Sequence, residues 1–351
     1  MTAAIKCLVW DLDRTLWEGI LLEDEKVTLR PNVHHIIQTL DGRGIIQSIA
    51  SRSAEDLATA VLRDFGLQEY FLYPQINWGS KAASIRTIAA ALNFSLDSMA
   101  LIDDEPFERD EVRFELPEVC CLDAADLGTI LDLAALNPRF VTTDSKRRRA
   151  MYIADNRRNE AEAAGGQPRG AFLGTLDMRL TISGATEADL MRAEELTVRT
   201  HQLNTTGTTY SYEELDAFRR SDRHTLLIFQ LDDRYGGYGK IGLALVERDD
   251  RLWTIKLLLM SCRVMNRGVG MIMINHLMRL ARDAGARLRA DFVKNQRNRM
   301  MYVTYSFAGF REVEKHGNRI VMENDLSRIQ ADPEYVDVRV EGGACTGARR
   351  R

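Results

Sequence analysis

Short apolar runs alternate with helical spacing through the first half of the chain. Ile5–Trp10 is apolar and stops at Asp11, and Val33–Arg43 has the spacing of a helix and closes at Gly44. Ile45–Ala50 is a second apolar run, followed by Ser51 and a helical pattern over Ala54–Phe65. Lys81–Leu92 predicts another helix, and Met99–Ile102 a third strand that ends in two aspartates. Strands separated by helices of this length predict a parallel sheet with helices on both faces. Ligands of such sheets bind at the carboxyl ends of the strands. Asp11, Ser51 and Asp103–Asp104 all fall there.

From Asp144 to Ala164 the pattern turns polar, with Lys146–Arg149, Arg157–Arg158 and a close at Ala163–Gly166. This predicts a connecting helix and then a loop, Gly165–Gly170, whose basic residues form a solvated face. Beyond it the pattern changes. Met178–Ser183, Trp253–Met260, Leu288–Phe292 and Arg319–Glu323 predict strands, and Thr225–Leu231 with Gly239–Glu247 a hairpin across Asp232–Tyr238. Glu187–Val198, Gly268–Ala284 and Asn298–Ala308 predict helices, so this half is a mixed, largely antiparallel α/β unit. The Gly- and Arg-rich end from Ala331 predicts a disordered tail. The expected division is 1–143, a linker helix and loop at 144–174, a second domain at 175–330, and a tail at 331–351.

A length of 351 residues and 39.8 kDa agrees with two domains. The net charge of -4 gives no drive towards nucleic acid or an anionic membrane. No apolar run is long enough to span a bilayer, and the N-terminus lacks a basic segment followed by an apolar one. The five cysteines, Cys7, Cys120, Cys121, Cys262 and Cys345, show neither a disulfide spacing nor a zinc-type pair. A reducing cytoplasm is therefore expected.

The segment Asp11-Leu-Asp13-Arg-Thr15 matches the DxDxT signature of the haloacid dehalogenase (HAD) superfamily. Residues two apart at a strand end point the same way, so both carboxylates can reach one phosphate. Asp11 is the candidate nucleophile and Asp13 the candidate acid and base. Two acids this close repel each other, and a divalent cation relieves that; magnesium suits an all-oxygen site. Ser51 can bond a phosphoryl oxygen, with Thr15 and Arg52 as further phosphate ligands, and Lys81 supplies a positive charge. Asp103 and Asp104 complete the metal shell with Asp11 and Asp13; the superfamily resemblance favours Asp104 as the direct ligand and Asp103 as its support. A lone Asp-x-Asp is commonly a strand-end turn. The signal lies in four elements in order, each following a strand or opening a helix. No large insertion separates them, so the cleft is expected to be open and suited to a bulky or protein-tethered substrate.

In the second half, Leu257–Gly270 reads as strand, Gly-rich turn and long helix, resembling the core of the GNAT acyltransferase fold. There the turn's amides at a helix N-terminus hold a pyrophosphate, which makes Arg263, Gly268 and Gly270 candidate pantetheine-binding residues. Met265 stands where that family carries Gln or Arg, which argues against a coenzyme A-dependent N-acyltransferase. Cys262, at the strand end, is either an acyl-accepting nucleophile or a small core residue. His201 is the best candidate base and equally a cap or loop histidine. Asp232 and Asp233 read as turn residues, and Asp291 can orient a base.

The whole chain resembles the FkbH-like family, a HAD domain fused to a GNAT-like domain. The matching pieces are Val9–Trp17, Ile49–Arg52, Leu101–Arg109, Gln202–Thr205 and Ser261–Val264, in family order over residues 1–325. The resemblance implies a glyceryl transferase/phosphatase of polyketide pathways. Such an enzyme takes 1,3-bisphosphoglycerate, removes both phosphates and loads D-glyceryl onto an acyl carrier protein. An alternative class keeps the phosphatase and treats the second half as a carrier-docking module without catalysis.

Overall fold

The computed structural model of the chain describes residues 4–166 and 168–342. It divides into two units, Met1–Ile153 and Ala154–Arg351, with the boundary inside a helix.

In the first unit, β1 (Cys7–Trp10) is followed by a small hairpin, β2 (Trp17–Glu18) and β3 (Thr28–Leu29). Then come α1 (Val33–Gly42), β4 (Ile46–Ser51), α2 (Glu55–Asp64), β5 (Gln75–Ile76), α3 (Lys81–Leu92), β6 (Met99–Asp103), α4 (Pro106–Glu115) and β7 (Cys120–Asp123). The sheet order is β5-β4-β1-β6-β7, and every pairing is parallel. The expected parallel sheet is present. Both of its faces are buried because successive side chains point opposite ways: Leu8 and Trp10 enter one apolar cluster, Cys7 and Val9 the other. β1 lies between β4 and β6, so the residue after it, Asp11, falls between the ends of those two strands. The short strands β2, β3 and β5 carry no expectation from the sequence, and neither do α4, with Glu105 as N-cap and Pro106 in its first turn, and β7.

The connecting stretch folds as α5 (Thr143–Lys146), α6 (Arg148–Gly165) and α7 (Arg169–Gly174), so the loop expected at 165–170 is shorter. Only part of its basic residues forms the expected solvated face: Lys146, Arg147 and Arg157 are exposed, and the others turn inward. In the first unit Arg148 is buried and donates to the Gly44 carbonyl, 3.0 Å, and Arg149 pairs with Asp41, 3.0 Å. In the second unit Arg158 is fully buried, forks onto Asp233 at 2.7 Å and lies 3.9 Å over the Tyr238 ring. Asp233 is thus an ion partner and no mere turn residue. A buried guanidinium needs such company.

The second unit contains β8 (Met178–Gly184), α8 (Leu190–Arg199), α9 (Tyr212–Arg220), β9 (His224–Asp233), β10 (Gly236–Arg248), β11 (Leu252–Met260), α10 (Val269–Asp283), β12 (Arg287–Val293), α11 (Arg299–Phe307), β13 (Arg311–His316), β14 (Arg319–Asn324) and β15 (Val336–Glu341). The sheet order is β13-β14-β12-β11-β10-β9-β8-β15, antiparallel except at β11–β12 and β8–β15. The mixed, largely antiparallel unit is as expected, and the tail is not. Val336–Glu341 pairs with Met178–Ser183, and residues 343–351 lie outside the described residues.

The β11–β12 pair splays. Its parallel register runs from Leu252↔Arg287 to Ile255↔Ala290 and stops there. In the β10–β11 register, Leu245 faces Leu257 and Val246 faces Ile255, leaving Lys256 as the extra residue of a bulge. Bulges bend a strand and increase its twist. Into the opening goes Leu203-Asn204-Thr205. Met260 N–H donates to Leu203 O at 3.0 Å, Thr205 N–H to Leu258 O at 3.1 Å, and Val293 N–H to Thr205 O at 3.0 Å. The buried Asn298 carboxamide clamps this insert by donating to the carbonyls of Asn204, Thr205 and Val293. No helix among the described residues is long and apolar enough to cross a membrane.

Candidate active site

Three strand ends of the first unit converge. Asp11 N–H donates to Ile102 O, 3.0 Å, which ties the loop after β1 to β6, and the Ser51 hydroxyl bonds the Asp11 carboxylate. Ser80 caps α3, its hydroxyl accepting Ala83 N–H at 3.2 Å, and so fixes Lys81 as the first helical residue. The Lys81 ammonium is 2.8 Å from Asp11 and bonds Asp103 and Glu108. It is only 2% exposed.

Three carboxylates thus face one buried ammonium. Burial pushes the Asp11 carboxyl up to about 7, against the pull of Lys81 and with the push of Asp103. Asp103 is raised for the same leading reason. Burial alone drives Lys81 down, yet Asp11 and Asp103 hold its pKa above the ordinary lysine value. The ammonium stays charged and the acids share the cost.

Asp11, Asp103 and Glu108 lie close enough together to hold a metal ion. We do not read that cluster as a magnesium site, because the Lys81 ammonium already takes its centre. The expected ligands Asp13 and Asp104 stand outside that cluster, which leaves the second Asp11 oxygen as the donor nearest to hand. The Thr15 hydroxyl joins Asp104 to the loop that carries Asp11 and Asp13, accepting Asp104 N–H at 3.0 Å and donating to its carboxylate at 3.2 Å. Thr15 is fully buried and engaged with Asp104, so its expected part as a phosphate ligand gives way to one of placing that aspartate. An all-oxygen donor set with surplus negative charge fits magnesium.

Asp13 is oriented too. Its Oδ1 accepts Trp17 Nε1–H at 2.7 Å and Leu21 N–H at 3.0 Å, leaving Oδ2 as the oxygen free to carry a proton. Arg52, expected on phosphate, donates from Nε to Gly79 O at 3.2 Å and pairs with Glu108 at 3.2 Å. It thereby holds the loop carrying Trp78, which is 68% exposed at the approach to Lys81. The sequence reading missed Glu108. Its position in the first turn of α4, behind Asp103–Asp104, was the available signal.

Replacing Lys81 tests this balance. Lys81→Met leaves the buried Asp11 and Asp103 and the half-buried Glu108 facing one another, and breaking a buried ion pair in this way costs about 3–5 kcal/mol. The expected result is a lower urea midpoint, partly restored by millimolar magnesium.

In the second unit Cys262 is half-buried and unbridged, just past the end of β11. Asn204 faces Leu259 in an antiparallel bridge. That bridge is isolated: His201–Leu203 is a bend and turn, and a 3-10 helix begins at Cys262, so no strand register carries on to these two residues. His201 also lines an open cavity of about 360 Å³ with Gly207, Asn295, Gln296 and Arg297. Cys262 is not among the described residues of that lining. Asp291 pairs with Lys256 at 2.6 Å, and Asp232 sits in the β9–β10 ladder.

At the glycine turn the structure shows close packing. Gly268 has φ +77, and a Cβ there would lie 2.6 Å from the Tyr335 hydroxyl. At Gly270 a Cβ would lie 2.7 Å from Met260 Cε. Both glycines therefore answer close packing, one beneath Tyr335 and the other against β11. Arg263 donates to the Tyr238 carbonyl at 2.7 Å.

No family model matches the chain, and no curated protein matches it. Among solved structures it is similar to the N-terminal part of the protein BF1531 from Bacteroides fragilis, which contains a phosphatase domain complexed with Mg. The identity is 31% over 38% of this chain and 40% of that one, with a TM-score of 0.34. The chain thus spans about 40% of the length of that relative. The ribosomal-protein-S18-alanine N-acetyltransferase from Escherichia coli aligns at 18% identity over 42% of this chain and 95% of that one, TM-score 0.34. The GNAT domain of S. lividans PAT aligns at 16% over 40% and 88%, TM-score 0.34.

Proposed function

We propose that the chain is a bifunctional glyceryl transferase and phosphatase. It removes both phosphates of 1,3-bisphosphoglycerate and loads D-glyceryl, through a Cys262 thioester, onto the phosphopantetheine thiol of an acyl carrier protein. The observation that carries the phosphatase half is the convergence of Asp11 and Asp103 on the buried Lys81 ammonium, with the Ser51 hydroxyl bonding Asp11.

The two phosphates of that substrate differ chemically. The 3-phosphate is an unactivated ester. Asp11 attacks its phosphorus, the P–O ester bond breaks, and Asp13 Oδ2 gives its proton to the leaving alkoxide. Asp13 then takes a proton from the water that cleaves the aspartyl phosphate, releasing orthophosphate. Lys81 and Ser51 hold the carboxylate and stand beside the transferring group. A magnesium ion, when bound, supplies the remaining neutralisation of phosphoryl charge.

The 1-phosphate is an acyl phosphate and needs only a nucleophile. Cys262 gives its proton to His201, the thiolate attacks the carbonyl carbon, and phosphate leaves with the bonding pair. The carrier thiolate then attacks the thioester carbonyl, the C–S bond to Cys262 breaks, and the leaving Cys262 thiolate takes back the proton held by His201.

The test is intact mass of a holo-carrier protein after incubation with the chain, magnesium and 1,3-bisphosphoglycerate. Gain of a glyceryl mass is expected. Several cognate carriers, all remaining unacylated, would sink the proposal. A coenzyme A-dependent reading fares worse, because Leu203–Thr205 fills the splay and Tyr335 covers Gly268. Calorimetric titration of the full chain with acetyl-coenzyme A is expected to show binding weaker than about 1 mM.

A further inference from the structure

A lysine ammonium has three protons to donate. On Lys81 all three are taken, by Asp11 at 2.8 Å and by Asp103 and Glu108. A phosphoryl oxygen can bond that charge only if one carboxylate gives way.

The three carboxylates are not equally free to do so. Asp103 is fully buried, its Oδ1 accepts Glu105 N–H at 2.9 Å, and its carbonyl accepts from Arg109 at 2.7 Å. Asp11 is tied by Ser51 and is the group that has to face phosphorus. Glu108 differs from both. It stands on the first turn of α4 rather than at a strand end, and its side chain is 13% exposed. Its carboxylate is divided between two cations: Oε2 bonds Lys81, and Oε1 lies 3.2 Å from Arg52 Nη1. Arg52 is in turn held by Gly79 O at 3.2 Å and by Glu111 at 3.4 Å. A fixed partner is therefore in place for Glu108 when it leaves the ammonium.

We propose that Glu108 is an internal competitor for phosphate. Its carboxylate occupies the Lys81 donor that a phosphoryl group needs, and an arriving phosphate displaces it onto Arg52. Phosphate and the Glu108 carboxylate repel each other at one buried ammonium. Arg52 is then a positioning residue that acts through Glu108. The inference rests on the phosphatase half of the function proposed above and makes no use of glyceryl transfer.

The experiment uses the full chain with magnesium. It follows hydrolysis of p-nitrophenyl phosphate and, by calorimetry, titration with inorganic phosphate. Glu108→Gln is expected to lower both KM and the phosphate Kd by about tenfold, as removal of one like charge at short range would. A gain in affinity cannot come from a damaged fold. Arg52→Met is expected to raise both constants by about two- to fivefold, the range of a partly exposed ion pair. In the Glu108→Gln background the same change should move neither.

A glutamate that merely props Lys81 gives the opposite sign, so a KM that rises or stays level in Glu108→Gln overturns the proposal. Equal effects of Arg52→Met in both backgrounds make Arg52 a direct phosphate ligand and overturn it as well. A wild type that hydrolyses no phosphomonoester defeats the phosphatase reading, and the phosphate titration then decides alone. Tighter binding in Glu108→Gln upholds the competitor, and equal, weaker or absent binding overturns it.

Discussion

Asp11→Asn is expected to abolish phosphate release from the 3-phosphoester, lowering kcat by about 10⁴-fold or more, as losing a nucleophile does elsewhere. The amide keeps the shape of the side chain but cannot form the aspartyl phosphate. A second readout separates chemistry from folding. In the metal-free wild type, burial raises the Asp11 carboxyl to about 7 from an unperturbed 3.8. A raised acid contributes stability that is fully present below its unfolded value and lost as pH climbs through the folded one. Metal-free wild type should therefore lose stability between about pH 4 and pH 7. In Asp11→Asn that slope should flatten, and at pH 8 without magnesium the variant should melt higher than the wild type. A dead variant that melts lower at pH 8 contradicts the charge balance drawn around Lys81. An active variant contradicts the nucleophile.

Cys262→Ala is expected to remove the covalent glyceryl-enzyme and to slow carrier loading by about 10³-fold or more. Hydrolysis of a simple phosphomonoester should continue at the wild-type rate. Cys262 is only half-buried, so its truncation should change stability by about 1 kcal/mol or less. Single-turnover loading followed by mass spectrometry reads both species. Loading at the wild-type rate would reduce Cys262 to a packing residue and favour a docking role for the second unit.

Much of the first site was legible because it follows from strand ends. Buried strands announce themselves as apolar runs, and Asp11, Ser51 and Asp103 are the polar residues that stop them. Glu108 was harder, since a long side chain in the next helix reaches back to Lys81, and reach has no sequence period. The insert Leu203–Thr205 was illegible as a strand. Its extended form is imposed by the open splay between β11 and β12, so tertiary pairing decides where local pattern is mute. The helix Tyr212–Arg220 and the strand Val336–Glu341 did leave marks. Ser211 and Glu214 make a capping box, and Val336-Asp-Val-Arg-Val-Glu341 alternates cleanly. The adjoining Gly- and Arg-rich end outweighed that second signal.

The four tryptophans are unequally placed: Trp10 and Trp17 are fully buried, Trp253 is 9% exposed and Trp78 is 68% exposed. Red-shifted ultraviolet emission from this chain therefore originates chiefly at Trp78, on the segment leading into Lys81. Iodide quenching of that emission gives a label-free optical gauge of the segment preceding Lys81, and Trp78→Phe provides its blank.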